Sequence, residues 1–333
     1  MEKIKVGIIG CGGMGHSHAR QIAELEDAEV TAAADLNAEV LSAYKEEFGI
    51  ANGYADYREM LANEELDAVT VCLPTWLHRD AVVAAAESKR VILCEKPLAR
   101  TMAEGEDMVA ACKANGVALQ LGFVRRFDNT WLKVKEIVDN GVLGTPIVWR
   151  DIRAGFGPGH TAWYFDKDKG GGPILDGMVH NFDFANFMFG RPVKSSSGLT
   201  RFKDSTAIDT GAVWMEYESG HIMSNMWSWG MAENVNAFSG MDMIAPNGAV
   251  IFARNFDASE FKDQFDPETE GIHLLKKHGG TVEPVIYKLN NMSLDQMRHF
   301  IDCVKNGTEP CVNGEDGLLA LKAALAALQE EEL

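Results

Sequence analysis

Along the first third of the chain, apolar residues come in short, nearly continuous runs, each followed by a longer stretch of mixed character. The runs are Ile4–Ile9, Glu29–Ala34, Asp67–Leu73, Val91–Cys94 and Val117–Phe123. Consecutive rather than alternate apolar positions bury both faces of a strand, as a parallel sheet requires. Helices fit between them. One covers His16–Leu25, and one capped by Asn37 runs to about Phe48, before Gly49. A short helix opens at Asp56, with Glu59 at capping-box spacing, and another covers Arg79–Ser88. The last runs from Thr101, boxed with Glu104, to Asn115 before Gly116. Strands alternating with helices predict a parallel sheet covered on both faces over residues 1–123.

The period then changes to two. After a helix near Asn129–Asn140, the segments Ile147–Arg153, Val193–Arg201, Gly211–Tyr217 and His221–Trp229 alternate. Further strand-like stretches lie at Ala237–Ile244, Gly248–Phe252 and Val282–Tyr287. Together they predict a second α/β domain, residues 124–333, built on a large, open, mainly antiparallel sheet. Two helices end the chain, one capped by Ser293 with Gln296 and running to Lys305, the other over Glu315–Glu332. Ile222, Met226 and Trp227 put large apolar side chains on both faces of the sheet, so both need cover. Helices on one face and a second subunit on the other would supply it, in a homodimer or homotetramer.

Composition narrows the function classes. A length of 333 residues suits two domains, each with its own core. Lys and Arg total 31 against 49 Asp and Glu, a net charge of −18, which argues against nucleic acid or an anionic membrane as partner. No apolar run nears the roughly 20 residues of a membrane helix, and because the chain enters a strand at once no signal peptide is expected. The six cysteines show no C-x-x-C and no Cys/His ligand spacing. Cys72 and Cys94 read as small buried apolar residues of strands. A reduced, cytoplasmic, metal-free protein is expected.

The first strand ends in Gly10-Cys11-Gly12-Gly13-Met14-Gly15, a G-x-G-x-x-G that opens a helix. Gly10 permits a sharp turn, Gly12 lets backbone approach a pyrophosphate, and Gly15 lets helix and strand pack closely. Gly13 and Met14 complete the loop, and the helix N-terminus faces the phosphates. Asp35 ends the second strand, twenty residues after Gly15. It would accept both adenosine ribose hydroxyls and repel a 2′-phosphate, so NAD is expected rather than NADP.

A nicotinamide would lie beyond the carboxyl ends of the central strands. Leu73-Pro74-Thr75, His78 and Glu95-Lys96-Pro97 are delivered there. Lys96, desolvated beside a cofactor, would be a proton donor or relay. Whether the Lys96–Pro97 bond is cis is left open by the sequence. A second candidate stretch, Gly170–Asp183, places Asp176, His180 and Asp183 at i, i+4 and i+7 of a predicted helix, on one face among apolar neighbours. Ionisable groups on such a buried helix need a reason. Oxidation of a secondary alcohol supplies one, because a base must take the hydroxyl proton as hydride leaves the carbon.

GIIGCGGMG, the strand-end EKP, GFVRRF at Gly122–Phe127 and GGGPILDGMVH, in this order, resemble the glucose–fructose oxidoreductase/inositol dehydrogenase/MocA family over essentially the whole chain. The resemblance implies a Rossmann domain followed by an α/β domain, and oxidation or reduction of cyclitols, sugars and their derivatives. It implies that His180 is the acid/base, that Lys96 polarises the substrate hydroxyl and relays its proton, and that Asp176 binds hydroxyl and orients the others. Asp183 matches a substrate-binding position. Arg125 is expected on the cofactor side, and Arg126, His160, Trp163 and Trp227 on the substrate side, with Gly155–Gly159 around Phe156 as either a mobile lip or an ordinary loop. Glycoside cleavage by transient oxidation with retained NAD is the alternative activity. Non-catalytic sensing is disfavoured by the presence of both Lys96 and His180.

Overall fold

Six parallel strands and five helices build the first third of the chain in a computed structural model that describes residues 3–158, 161–235, 237–252 and 255–333. The strands are β1 (Ile4–Ile9), β2 (Ala28–Ala34), β3 (Asn52–Tyr54), β4 (Ala68–Val71), β5 (Val91–Cys94) and β6 (Leu119–Leu121). The helices are α1 (Gly13–Ala23), α2 (Ala38–Phe48), α3 (Tyr57–Asn63), α4 (His78–Glu87) and α5 (Met102–Asn115). The sheet order is β3-β2-β1-β4-β5-β6, with every pair parallel. Strand order reverses between β1 and β4, which opens a crevice at their carboxyl ends. Local signals end the helices as their residues demand. Asn37 Oδ1 accepts from the Glu39 and Val40 amides, Thr101 and Glu104 form a reciprocal capping box, and Gly49 and Gly116 close their helices in the left-handed region.

Two compact units make up the chain: Met1–Val124 with Met292–Leu321, and Arg125–Asn291 with Lys322–Leu333. The expected second domain, residues 124–333, therefore needs correction at its C-terminal end. Helix α8 (Met292–Asn306) packs on α1 and β1, and its Met297, Phe300 and Ile301 join Val6, Ile8, Ile22 and Leu93 in one buried core. Its i, i+3, i+4 stripe states that the helix has an apolar face, but not which sheet that face covers. The dividing point falls inside α9 (Gly314–Ala327).

The second unit is built on an eight-stranded sheet, in the order β14-β13-β12-β11-β7-β10-β9-β8. The strands are β7 (Val148–Ala154), β8 (Pro192–Thr200), β9 (Thr210–Tyr217), β10 (Ile222–Ser228), β11 (Gly240–Ala245), β12 (Gly248–Ile251), β13 (Glu270–Lys277) and β14 (Val282–Lys288). All pairs are antiparallel except β7 with β10, which run parallel from Val148↔Ile222 to Ala154↔Ser228. Strand β13 escapes a period-two reading because Ile272–Leu275 is buried on four consecutive positions between charged ends. On one face, Trp149 of β7 meets Trp131 of α6 (Asn129–Asp139) at 5.6 Å between ring centroids, and Trp131 meets Phe184 of α7 (Val179–Phe189) at 5.0 Å. The opposite face carries Ile152, Trp214, Met226 and Ile244, none of them buried. No described helix is long and apolar enough to cross a membrane.

Candidate active site

In the first unit the glycine motif is folded for an anionic ligand. Helix α1 begins at Gly13, three residues before the expected His16, so the motif itself forms its first turn. Gly10 has φ +97°, and a Cβ there would lie 2.8 Å from the Cys72 carbonyl oxygen. A Cβ on Gly15 would lie 2.1 Å from the Gly10 carbonyl oxygen, so only glycine fits. Around Gly12 and Gly13 there is open space, as a cradle for phosphate requires. Met14 beside them is exposed. Asp35 ties the loop to β2: its Oδ2 accepts from the Cys11 amide at 2.9 Å and its Oδ1 from the Asn37 amide at 2.8 Å. Each oxygen keeps a second lone pair for a hydroxyl donor. These residues fit a dinucleotide.

The strand-end residues of this unit divide into two groups. Leu73 and Pro74 are partly exposed beyond β4, Thr75 is buried in the turn that follows, and Lys96 is partly exposed beyond β5, its bond to Pro97 cis. His78 and Glu95 are buried braces. His78 Nε2 lies 2.8 Å from the Leu73 carbonyl oxygen and Nδ1 lies 3.0 Å from that of Pro97, so one ring spans both loops. Burial pushes its pKa below the usual histidine value. Glu95 Oε1 lies 3.0 Å from His18 Nε2. Burial alone would raise the Glu95 carboxyl, but the His18 hydrogen bond and charge and the Lys96 charge hold it below the usual range. Cys72 departs from its expected place as a buried strand residue: β4 ends at Val71, and the thiol is partly exposed with its sulfur 3.3 Å from His18 Nδ1.

In the second unit the glycine-rich stretch folds as a π-helical turn, Pro173–Gly177, which closes with a 2.7 Å bond from the Met178 amide to the Pro173 carbonyl. Gly172, at φ +77°, lets this turn begin 2.1 Å from the Ile208 carbonyl oxygen, measured from the place of a Cβ. Helix α7 follows. The expected single face of Asp176, His180 and Asp183 is thus corrected: Asp176 belongs to the wider π turn, and only His180 and Asp183 share the α-helical phase. Asp176 is buried and His180 half-buried.

The two arginines of the GFVRRF stretch dock on α7. Arg126 Nε donates to both oxygens of Asp183, at 3.1 and 3.0 Å, with both side chains nearly inaccessible. Arg125 donates to Asn181 Oδ1 and stacks 4.4 Å over Trp131. Asn181 in turn donates to Asp151 Oδ2 at 2.7 Å, and Trp227 Nε1 donates to the same oxygen at 3.2 Å. Asn181 and Asp151 were not among the expected site residues. Asp151 did carry a signal, since it shares strand parity with Ile147 and Trp149 on the covered face, where a charge is out of place. Trp163 stacks on Tyr164 at 3.8 Å. His160 and Gly159 lie outside the described residues. Within the expected lip, Lys203 holds Phe156 through its carbonyl oxygen at 3.0 Å and over its ring at 4.2 Å.

Comparison with known proteins names the family. Residues 4–123 match the family model described as "Oxidoreductase family, NAD-binding Rossmann fold", and residues 131–239 match the "GFO/IDH/MocA C-terminal domain". The chain belongs to the Gfo/Idh/MocA oxidoreductase family. It is 29% identical to a myo-inositol 2-dehydrogenase of Thermotoga maritima, covering 99% of this chain and 96% of that one. It is 26% identical to a scyllo-inositol 2-dehydrogenase (NAD(+)) of Bacillus subtilis, over 98% of this chain and 93% of that protein. A crystal structure of a probable dehydrogenase from Thermotoga maritima superposes with a TM-score of 0.74 at 28% identity, covering 98% and 96% of the two chains. The parallel and mainly antiparallel sheets predicted from the sequence are those of the family, and the protein is an oxidoreductase that takes a nicotinamide cofactor.

Proposed function

We propose that this chain is an NAD-dependent dehydrogenase that interconverts a secondary alcohol and a ketone on a cyclitol, sugar or sugar derivative. The observation that carries the reading is the full-length likeness to a myo-inositol 2-dehydrogenase. Asp35 supports NAD over NADP, because its carboxylate stands where a 2′-phosphate would bring like charge. In this reading Gly10, Gly12, Gly13, Met14 and Gly15 hold the pyrophosphate, and Leu73, Pro74, Thr75 and Arg125 line the remainder of the cofactor.

Bound nicotinamide supplies a hydride acceptor. The chain's own residues manage the proton and the hydroxyls. His180 takes the hydroxyl proton, and Lys96 donates to the same oxygen and holds the charge that develops on it. Asp176 accepts a neighbouring hydroxyl, while His160 and Trp163 border the substrate. Arg126 and Asp183, buried against each other, fix the helix that carries His180. A substrate rich in hydroxyls suits such polar groups, since each desolvated hydroxyl needs a partner. The open face of the second sheet supports assembly as a homodimer or homotetramer, and six free thiols support a cytoplasmic setting. Reduction of NAD, followed by the absorbance of the product across a panel of cyclitols and aldoses, tests the reading. Turnover of at least one is expected, and release of aglycone from glycosides without net NADH would replace it.

A further inference from the structure

Three side chains of the first unit form a line that the hydride chemistry does not use. Cys72 stands just beyond β4, His18 on α1 and Glu95 just beyond β5. Two adjacent strands and the helix packed over them therefore fix the spacing. The Cys72 sulfur lies 3.3 Å from His18 Nδ1, and His18 Nε2 lies 3.0 Å from Glu95 Oε1. His18 is 3% exposed and Glu95 6%, while Cys72 is partly exposed. A nucleophile in hydrogen-bond reach of a base, with that base oriented by a third group, is the arrangement that activates a thiol.

We propose that Cys72, with His18 as base and Glu95 as orienting carboxylate, is a covalent modification site for small disulfides. His18 Nδ1 takes the thiol proton, and the Cys72 sulfur attacks one sulfur of the disulfide. A new S–S bond forms as the old one breaks, and the leaving thiolate takes the proton back from His18. Cys72 is oxidised to a mixed disulfide, and the other half of the reagent is reduced to a free thiol.

The surroundings favour this pair. Burial works against a charge on His18, but the Cys72 sulfur and the Glu95 carboxylate outweigh it and hold its pKa up to about 10. The other thiols and the phenol nearby keep their protons: burial pushes Cys11 up to about 12 and raises Cys94 and Tyr44. Burial pushes His78 the other way, below the usual histidine value. Asp35, which acts on Cys11, and Lys96, which acts on Glu95, complete the charged neighbours.

The test exposes the full-length protein to hydroxyethyl disulfide and follows the Cys72 adduct by peptide mass spectrometry, with a free peptide thiol in the same solution as reference. At about pH 6.5, Cys72 is expected to react at least about tenfold faster than the reference, with the advantage shrinking toward about pH 9. His18→Gln should cut the Cys72 rate at the lower pH by about tenfold or more, and Glu95→Gln by several-fold. Should His18→Gln not fold, the pH profile of the unaltered protein decides. The proposal is overturned if Cys72 reacts no faster than the free thiol at the lower pH, or if folded His18→Gln reacts as fast as the parent. No step involves cofactor or substrate, so either result leaves the dehydrogenase reading intact.

Discussion

Arg126 and Asp183 face each other as a fork: the arginine Nε reaches both carboxylate oxygens, at 3.1 and 3.0 Å, and solvent reaches neither group appreciably. A charge buried this way depends on an opposite charge to offset its lost hydration. Arg126→Met strands the carboxylate, and a loss of about 3–5 kcal/mol is expected in the unfolding of the second unit. Replacing both residues by apolar ones should restore much of it. Denaturant titration of the two variants checks this, and a single variant within about 1 kcal/mol of the parent would refute the pairing.

Asp35 makes a separate prediction for the cofactor. Its two oxygens already hold the Cys11 and Asn37 amides, so the carboxylate is fixed rather than free to swing away. Asp35→Ser keeps a short acceptor near the loop but removes the charge. Loss of a charge-assisted hydrogen bond is worth about 1.5–3 kcal/mol, so KM for NAD should rise at least about tenfold. The ratio of NAD to NADP efficiency should fall with it. An unchanged ratio would contradict the assignment.

Acid should destabilise the second unit through His273. This residue is fully buried on β13, its Nε2 lies 2.9 Å from the Thr130 carbonyl oxygen, and burial pushes its pKa down to about 4 from an ordinary 6.5. The folded chain therefore holds the neutral ring while the unfolded chain protonates first. The stabilisation is complete above about pH 6.5 and is lost as pH falls toward 4, by up to about 3 kcal/mol. His273→Gln should show a shallower fall in melting temperature over that window. An equal fall in variant and parent would exclude His273 as the cause.

Legibility in the sequence followed the range of the interactions. Ile4–Gly15, Asn37 and Thr101–Glu104 act on neighbours within a few residues, so the strand, the glycine turn and the helix caps could be read directly. Helix α8 was visible as a helix from its capping signal, yet its partners α1 and β1 lie far away in sequence and no local pattern names them. The π turn at Pro173–Gly177 was misread as α-helix because the residues that allow it, Gly172 and its neighbours, fit either form. Asn181 gave no signal, since a polar residue beside His180 reads as solvated until Arg125 and Asp151 are found on either side.

The central claim is that Lys96 and His180 serve the oxidation of a hydroxyl. The most direct measurement is the steady-state kinetics of NADH formation from myo-inositol, or from whichever cyclitol or sugar is accepted, for the parent, Lys96→Ala and His180→Ala, with dinucleotide affinity measured separately. Loss of a positioned acid or base predicts kcat lower by about 100-fold or more in each variant, while both still bind NAD. Variants that turn over the accepted substrate at the parent rate would contradict the account.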